Sequence, residues 1–318
     1  MDVVAIGELL IDFTYKSADG EGYPTMEAHP GGAPANFLAA LNQYGYKTAL
    51  LGKVGNDAFG KLLLGTLRNA GIETKGMVVA EDVFTTLAFV TLDEQGDREF
   101  SFARKPGADT RICFEELNLS LIDEAKVFHF GTLSLTNEPA RTATYKAVEY
   151  AREQGKLVTY DPNLRKPLWK SLEEAKEQML WGLAHADVVK ISDEEVAFLF
   201  GLEPEAGAAY ILEHYKVKLV FVTCGADGCV FRNGRCGGHV PGLQGITVAD
   251  TTGAGDIFGG SAVSQLLESG KAPGELEEAD LRRIVTFACT AAGLSTTKPG
   301  GISSVPALET VLERMGDR

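Results

Sequence analysis

The segment "VADTTGAGDIFGG", residues 248–260, sets two aspartates among four glycines and contains no lysine. The β-rich residues "ITVAD" (246–250) predict a strand before the turn, and residues 256–269 predict a helix that Gly270 closes. The turn itself, Gly253, Ala254 and Gly255, would then lie at a helix N-terminus. Unpaired backbone N–H groups and the helix dipole favour a bound anion there.

Asp256 follows this glycine turn directly. A carboxylate beside a bound phosphoryl group can take the proton of an attacking hydroxyl, which is the role of the base in phosphoryl transfer to an alcohol. Two other interpretations stay open from these residues alone. Asp256 could be a first-turn acid that the helix dipole favours, or "GAGDIFG" could be a dinucleotide-binding turn with its last glycine displaced.

Outward from this segment, strand-like and helix-like segments alternate along most of the chain. This alternation predicts a three-layer α/β/α fold in which helices cover both faces of a mostly parallel sheet. The predicted strands are residues 3–7, 48–55, 125–131, 156–163, 187–192, 218–225 and 228–234, and the clearest helices are residues 34–45, 138–155 and 172–186.

Two regions interrupt the alternation. Residues 14–32 are polar and rich in turns, and residues 85–109 alternate like an antiparallel hairpin with a tight "EQGD" turn at 94–97. We expect a small β-sheet lid built from segments at approximately 13–30 and 84–108, inserted into a single domain spanning 1–318. An ordinary edge hairpin with a long loop is the alternative.

The bulk composition narrows the class of ligand. The 318 residues carry a formal net charge of −14, which argues against nucleic acid as a partner. We find no targeting signal and no run of membrane-spanning length. The five cysteines include no CxxC pair, which predicts free thiols and a cytoplasmic protein.

A second glycine turn, "HPGGAPANF" (29–37), also leads into a helix. Gly31 and Gly32 allow close approach to the backbone, and Asn36 can offer an amide to a polyol. A simple proline-initiated helix explains the same residues equally well. Asp12 is predicted to close the first strand, where the loops of α/β sheets usually build sites, and could hold sugar hydroxyls.

Together, "GGAPAN" (31–36) and "DTTGAGD" (250–256) resemble the paired signatures of the ribokinase-like (PfkB) sugar kinases, in that order and at suitable positions. The resemblance covers nearly the whole chain. Within that family, the segments "REFSFARKPGAD", "AKVFHFGTLSL", "YDPNLRKPLW" and "VVKISDEEV" look most like the fructokinases.

The resemblance implies a set of site residues. Asp256 matches the catalytic base, with Gly253, Ala254 and Gly255 as its anion hole. The positions that match the sugar site are Asp12, Gly31, Gly32, Asn36, Arg104 and Arg165. Those that match the nucleotide site are Lys190, Ser192, Glu195, Thr223, Gly225, Gly228 and Cys289.

The resemblance also implies two cations. Glu195 matches the last acid of a motif that organises Mg²⁺ through water beside the phosphates of ATP. A monovalent cation, usually K⁺, is expected next to the anion hole. Its expected ligands are Asp250, Thr252, Ser295, Lys298, Gly300 and Ser304, the middle ones through backbone carbonyls.

Five positions depart from the family pattern: Leu38 and Ser261 replace smaller residues within the two signatures, and three others lie at positions that match the site. Ser192 stands where the broad family has asparagine. Serine is common at this position in fructokinases. Cys289 stands where some members have an asparagine near adenine. Ala103 replaces a tyrosine that is frequent in the fructokinase "FYR" segment, although Arg104 of that segment is retained.

The function implied is an ATP-dependent kinase that phosphorylates the primary hydroxyl of a sugar, D-fructose to D-fructose 6-phosphate. A related kinase of 2-keto-3-deoxygluconate or of a riboside or nucleoside is the nearest alternative. A non-catalytic sugar sensor and a dinucleotide-dependent oxidoreductase are more distant ones. The exposed β edge of the lid suggests a homodimer through the lid.

Overall fold

The computed structural model describes residues 1–92 and 98–316. The strands found within these ranges are β1 Val3–Ile6, β2 Leu10–Ala18, β3 Pro24–Gly31, β4 Thr48–Gly55, β5 Met77–Ala80, β6 Leu87–Leu92, β7 Arg98–Ala103, β8 Val127–Gly131, β9 Leu157–Asp161, β10 Val188–Ser192, β11 Leu219–Thr223, β12 Cys229–Asn233 and β13 Gly237–Val240. The α-helices are α1 Ala33–Gln43, α2 Ala58–Asn69, α3 Leu119–Glu124, α4 Ala140–Glu153, α5 Leu172–His185, α6 Asp193–Phe200, α7 Pro204–His214, α8 Ala254–Ser269, α9 Glu278–Ser295 and α10 Leu308–Gly316.

The main sheet has the order β13-β12-β11-β10-β9-β8-β1-β4-β5 in the part of the chain that the structure describes. Neighbouring strands from β11 through β5 pair in parallel, whereas β12 and β13 are antiparallel. The predicted, mostly parallel sheet is therefore confirmed. Each of the seven predicted strands corresponds to an observed strand, from β1 to β12.

Strand β1 lies inside the sheet and is buried on both faces. Val4 and Ile6 pack into a core with the helices α3 to α7, and Val3 and Ala5 pack into a second core with α1, α2 and α8. Successive side chains of a strand point to opposite faces, so this division shows a helical layer on each side of the sheet. The α/β/α fold expected from the sequence is confirmed.

The lid is a separate four-stranded sheet with the order β3-β2-β6-β7. It joins two hairpins, β2–β3 and β6–β7, through the parallel pair β2–β6. Phe13 stacks on Phe89 with ring centroids 5.3 Å apart, and its edge meets Phe59 of α2. The lid is thereby fixed to the main domain at its base, while the predicted "EQGD" turn lies outside the described residues.

Two local predictions are wrong. Residues 246–250 form no strand; Val248 is 55% exposed, and the N–H groups of Ala249 and Asp250 bond the carbonyl of Thr296 after helix α9. Asp12 does not close the first strand, which ends at Ile6; it is the third residue of lid strand β2. In both cases the local sequence pattern alone predicted a strand of the main sheet.

Candidate active site

The catalytic candidate Asp256 lies in the first turn of α8, as predicted. Gly253 precedes the helix in the left-handed region, with a φ of 75°, and this conformation turns the chain sharply into the helix. A side chain at Gly253 would come within 3.0 Å of both Asn36 Nδ2 and the Cα of Gly301. The glycine turn thus brings three segments together around a helix N-terminus.

Asn36 and Asp256 are in direct contact. Asn36 Nδ2 donates a hydrogen bond of 2.9 Å to Asp256 Oδ2. Asn36 reaches this position because helix α1 begins just after Gly32, whose φ is 126° and whose added Cβ would lie 2.5 Å from the carbonyl oxygen of Glu8. The two signatures that were recognised separately in the sequence therefore form one site.

Asp12 and Arg165 face the same cleft as Asp256. Burial raises the pKa of Asp12 to about 6, against the attraction of Arg165, and the carboxylates of Asp256 and Asp250 add to the rise. An added Cβ at Gly31 would lie 2.2 Å from Asp12 Oδ2, so only glycine leaves room for this carboxylate. The predicted sugar-binding positions are thus close to the candidate base.

Lys190 forms a buried ion pair beneath the glycine turn. Its Nζ lies 3.0 Å from Asp161 Oδ2, and an added Cβ at Gly255 would lie 2.9 Å from the same Nζ. Burial alone lowers the pKa of Lys190, but the carboxylates of Asp161, Glu195 and Asp256 outweigh this and raise it. Lys190 therefore stays charged, paired with Asp161, beside the glycine turn.

The ionisation of Asp256 depends on competing influences. Burial raises its pKa above the ordinary value, and Glu195 adds to the rise. The hydrogen bond from Asn36 and the charges of Lys190 and Arg165 act in the opposite direction. A carboxylate with a raised pKa is a stronger base for an alcohol proton, provided that it remains ionised at working pH.

Ser192 and Glu195 cap helix α6 at the carboxyl end of β10. Ser192 Oγ accepts from the Glu195 N–H, and Glu195 Oε2 accepts from the Ser192 N–H at 2.9 Å. Glu195 Oε1 accepts from the N–H of Leu164 at 2.7 Å. The Glu195 carboxylate is thus held against the loop that follows β9.

The predicted nucleotide turn lies one strand further along the sheet edge. Thr223 ends β11 next to Ser192 in the register of the two parallel strands. Gly225 and Gly228 have φ values of 53° and 96°, and an added Cβ at Gly228 would lie 2.1 Å from the carbonyl oxygen of Val240. This tight turn therefore needs its glycines.

The predicted cation loop is assembled around Asp250. Its Oδ1 accepts from the N–H and the hydroxyl of Thr252, and its Oδ2 accepts from the N–H of Gly300 at 3.1 Å. Ser295 and Ser304 lie within five residues of Gly300 in the sequence and are buried. Their hydroxyls donate to backbone carbonyls, whereas Lys298 is exposed. The two predicted segments thus meet beside the glycine turn.

Two predicted site residues have other surroundings. Arg104 is 5% exposed and its guanidinium binds Asp109, the Thr136 hydroxyl and the Leu133 carbonyl. Cys289 is buried in the core that α8 and α9 form with the sheet. In this structure Arg104 holds the base of the lid.

Comparison with known proteins agrees with this geometry. Residues 1–308 match the family model of the pfkB family carbohydrate kinases. The chain belongs to the pfkB family. It is 42% identical to fructokinase-2 of Solanum lycopersicum over 313 residues, which cover 98% of this chain and 94% of the tomato protein.

Solved structures of other kinases share the fold over nearly their full length. A fructokinase from Xylella fastidiosa with bound ATP has a TM-score of 0.91 and 29% identity, covering 99% of this chain and 98% of that one. A fructokinase from Vibrio cholerae O395 with fructose, ADP and calcium has a TM-score of 0.87, 30% identity and 99% coverage of both chains. A putative ribokinase II from E. coli with ATP and Mg²⁺ has a TM-score of 0.87, 26% identity and coverage of 100% and 99%.

The pfkB-family site also contains two polar residues that sequence reasoning missed. Asn163 Nδ2 lies 3.3 Å from Asp256 Oδ1, and Asp161 carries the ion pair with Lys190. Both belong to "DPN" at the carboxyl end of β9, the edge where α/β sheets build sites. Their position at the end of a predicted strand is the signal in the sequence that points to them.

Residues 1–92 and 98–316 contain neither a cluster of metal-ligating side chains nor a membrane-spanning helix. Across them, no group of three or more His, Cys, Asp or Glu side chains is arranged to hold a metal ion. The helices that they contain include none with the length and hydropathy needed to cross a bilayer.

Proposed function

We propose that this pfkB-family carbohydrate kinase transfers the γ-phosphate of ATP to the primary hydroxyl of D-fructose, giving D-fructose 6-phosphate. The observation that carries the proposal is the contact between Asn36 and Asp256 at the N-terminus of α8, where a sugar-binding amide meets a base beside an anion-binding turn. The fructokinase relatives and the structure that holds fructose and ADP support the choice of substrate.

Asp256 acts as the general base. It accepts the proton of the sugar hydroxyl as the oxygen attacks the γ-phosphorus in line. The backbone N–H groups of Gly253, Ala254 and Gly255, at the N-terminus of α8, stabilise the developing charge of the transferring phosphoryl group. The Ala254 N–H, which donates to the Thr251 carbonyl at 3.3 Å, would exchange that bond for the phosphoryl oxygen. Lys190, beside Gly255, adds a positive charge at the same place.

The sugar lies under the lid. Asp12 and Asn36 bind its hydroxyl groups from the lid strand and from helix α1, and Gly31 and Gly32 let the chain pass close to Asp12 and to the Glu8 carbonyl. Arg165 faces the sugar and phosphate end of the cleft, where its charge acts on both Asp12 and Asp256. Arg104 acts indirectly, by fixing the base of the lid.

ATP lies along the carboxyl ends of β10 and β11. Thr223, Gly225 and Gly228 form its turn, Ser192 and Lys190 lie toward the phosphates, and Cys289 is near the adenine. Glu195 holds Mg²⁺ through water, and the ion when bound neutralises charge on the phosphate oxygens. The orphaned Asp161 Oδ1, which has no hydrogen-bond partner among the described residues, is a further acceptor for such a water.

The loop around Asp250 would hold K⁺. The residues that would supply its ligands are Asp250, Thr252, Ser295, Lys298, Gly300 and Ser304. Because the Asp250 carboxylate already joins Thr252 to Gly300, a cation there would stiffen the backbone that forms the anion hole.

The lid also provides the surface for a homodimer. Strand β3 lies at one edge of the lid sheet, and an unpaired edge can accept a strand of a second subunit. The chain from 1 to 318 works as one kinase domain with lid segments near 13–30 and 84–108. Its five free cysteines suit the reducing cytoplasm.

A sugar panel tests the proposed function. ADP release from Mg-ATP would be measured with fructose, ribose, glucose, mannose, 2-keto-3-deoxygluconate and adenosine, each with and without K⁺. We expect turnover with fructose, faster with K⁺. Turnover with a different acceptor would contradict fructose as the substrate and would point to Ala103 in the wall of the sugar site. No turnover with any acceptor would favour a non-catalytic sugar sensor.

A further inference from the structure

Asn163 has an unusual backbone conformation. Its φ is 48°, and no other non-glycine residue has a positive φ among residues 1–92 and 98–316. Asparagine tolerates the left-handed region better than most residues, but the conformation still carries strain. Strained residues of this kind persist where their neighbours hold them, and they concentrate at functional sites.

The residues on both sides of Asn163 are fixed by hydrogen bonds. The carbonyl of Pro162 accepts from the N–H of Thr132 at 3.3 Å and also from the Thr132 hydroxyl. The N–H of Leu164 donates to Glu195 Oε1 at 2.7 Å. The turn is thus anchored to the end of β8 on one side and to the cap of α6 on the other.

This anchored turn directs the Asn163 amide at the base. Asn163 Nδ2 donates to Asp256 Oδ1 at 3.3 Å, while Asn36 Nδ2 donates to Asp256 Oδ2 at 2.9 Å. Each carboxylate oxygen therefore has its own amide donor, one from either side of the cleft. Two donors on opposite oxygens limit rotation of the carboxylate about its Cβ–Cγ bond, which one donor alone would not do.

We propose that Asn163 is a positioning residue that sets the orientation of the Asp256 carboxylate toward the attacking sugar hydroxyl. This inference rests on the proposed function of Asp256 as the base. The distance of 3.3 Å is long for such a bond, as is common for catalytic hydrogen bonds before substrate binds. Through Glu195, the same turn also ties the position of the base to the nucleotide end of the site.

Two substitutions separate the amide from the backbone strain. Asn163→Gly removes the amide but accepts a φ of 48° without strain, so it should fold. Asn163→Asp keeps the shape and tolerates the conformation, but it offers no donor to the carboxylate. Asn118→Gly, at the N-cap of α3 where the side chain accepts from the Ser120 hydroxyl, is the control for the same substitution away from the site.

Steady-state kinetics on the full chain give the first readout. We expect kcat to fall about 10- to 100-fold in N163G and further in N163D, because a small misplacement of a catalytic group costs up to about 100-fold. The KM for ATP should stay within about twofold, and N118G should match the wild type. A wild-type kcat in N163G, or equal losses in kcat and in ATP affinity, would overturn the proposal.

Crystal structures of the wild type and N163G give a readout that needs no turnover. The Asp256 carboxylate should rotate out of its wild-type orientation in N163G while the Asn36 bond persists. An unchanged carboxylate would overturn the proposal. If the wild type phosphorylates no sugar, the proposed function fails, and the carboxylate orientation still decides the role of Asn163.

Discussion

Asn36 Nδ2 and Asp256 Oδ2 are 2.9 Å apart in space, although 220 residues separate them in the chain. The bond joins the first turn of α1 to the first turn of α8, two helices that pack against each other. One end belongs to the sugar signature and the other to the anion-binding turn. In the proposed mechanism, this contact couples sugar binding to the group that removes the sugar proton.

Loss of the Asn36 amide should impair the chemical step. We expect Asn36→Ala to lower kcat/KM for fructose by about 100-fold, because the base loses its closer donor and the sugar loses a contact. Asn42→Ala is the control on the same helix, since the Asn42 amide bonds the carbonyls of Tyr46 and Gly71. Equal activity losses in both variants would show a general effect on helix α1 instead.

The two glycines that bound helix α8 allow a matched test of the anion-binding turn. Gly253 and Gly270 have left-handed φ values of 75° and 64°, so alanine at either should cost about 1–2 kcal/mol in the free energy of unfolding. Only at Gly253 would the added Cβ approach Asn36. We expect Gly253→Ala to lose phosphoryl transfer and Gly270→Ala to keep it, as measured by ADP release and chemical denaturation. Full activity in Gly253→Ala would contradict the assigned turn.

The buried pair of Arg104 and Asp109 should matter for stability. Their side chains are 3% and 2% exposed, so Arg104→Met leaves a buried carboxylate without its partner and should cost about 3–5 kcal/mol in the free energy of unfolding. Lys271→Met breaks a pair near the surface, with side chains 47% and 21% exposed, and should lower the stability far less. Urea denaturation measures both values. Similar small losses would mean that Arg104 is free to bind sugar.

Glu8 should make stability depend on pH. Burial raises its pKa from 4.5 to about 7, so the folded state holds a proton that the unfolded state releases between these values. Stability is therefore highest below about pH 4.5 with respect to this group and falls as pH rises to about 7, by up to about 3 kcal/mol. Glu8→Gln mimics the protonated form and should lose this fall.

Thermal unfolding of Glu8→Gln and wild type at several pH values checks the sign. The melting temperature of the variant should exceed that of the wild type above pH 7, and the difference should vanish toward pH 4.5. Gln at this position can still accept the hydrogen bond from the N–H of Ala33, which Glu8 Oε1 accepts at 2.9 Å. A difference that does not change with pH would contradict the raised pKa.

Much of the fold and of the site could be predicted because the signals are local. Strands such as β1 and β11 contain continuous apolar runs, and the two glycine signatures mark helix N-termini by their own backbone requirements. The contact between Asn36 and Asp256 was less predictable, because α1 follows the lid strand β3 and α8 follows residues 246–250, which form no strand. It comes from the packing of α1 against α8.

What could not be predicted depends on partners distant in sequence. Residues 246–250 have strand-forming side chains but no neighbouring strand, so their N–H groups bond the loop after α9. Arg104 resembles a sugar ligand by position, yet Asp109 and Thr136 bind it in the folded chain. The sequence alone does not show that Asn163 contacts Asp256. Only the folded chain brings the two side chains together.

The most direct test of the account compares the wild type with Asp256→Ala in fructose-dependent ADP release, with ATP binding measured by calorimetry. General-base catalysis contributes about 10²–10⁴-fold, so we expect turnover of fructose to fall by about that factor while the affinity for Mg-ATP is retained. Turnover of fructose by Asp256→Ala at the wild-type rate would contradict the central claim that Asp256 removes the proton of the sugar.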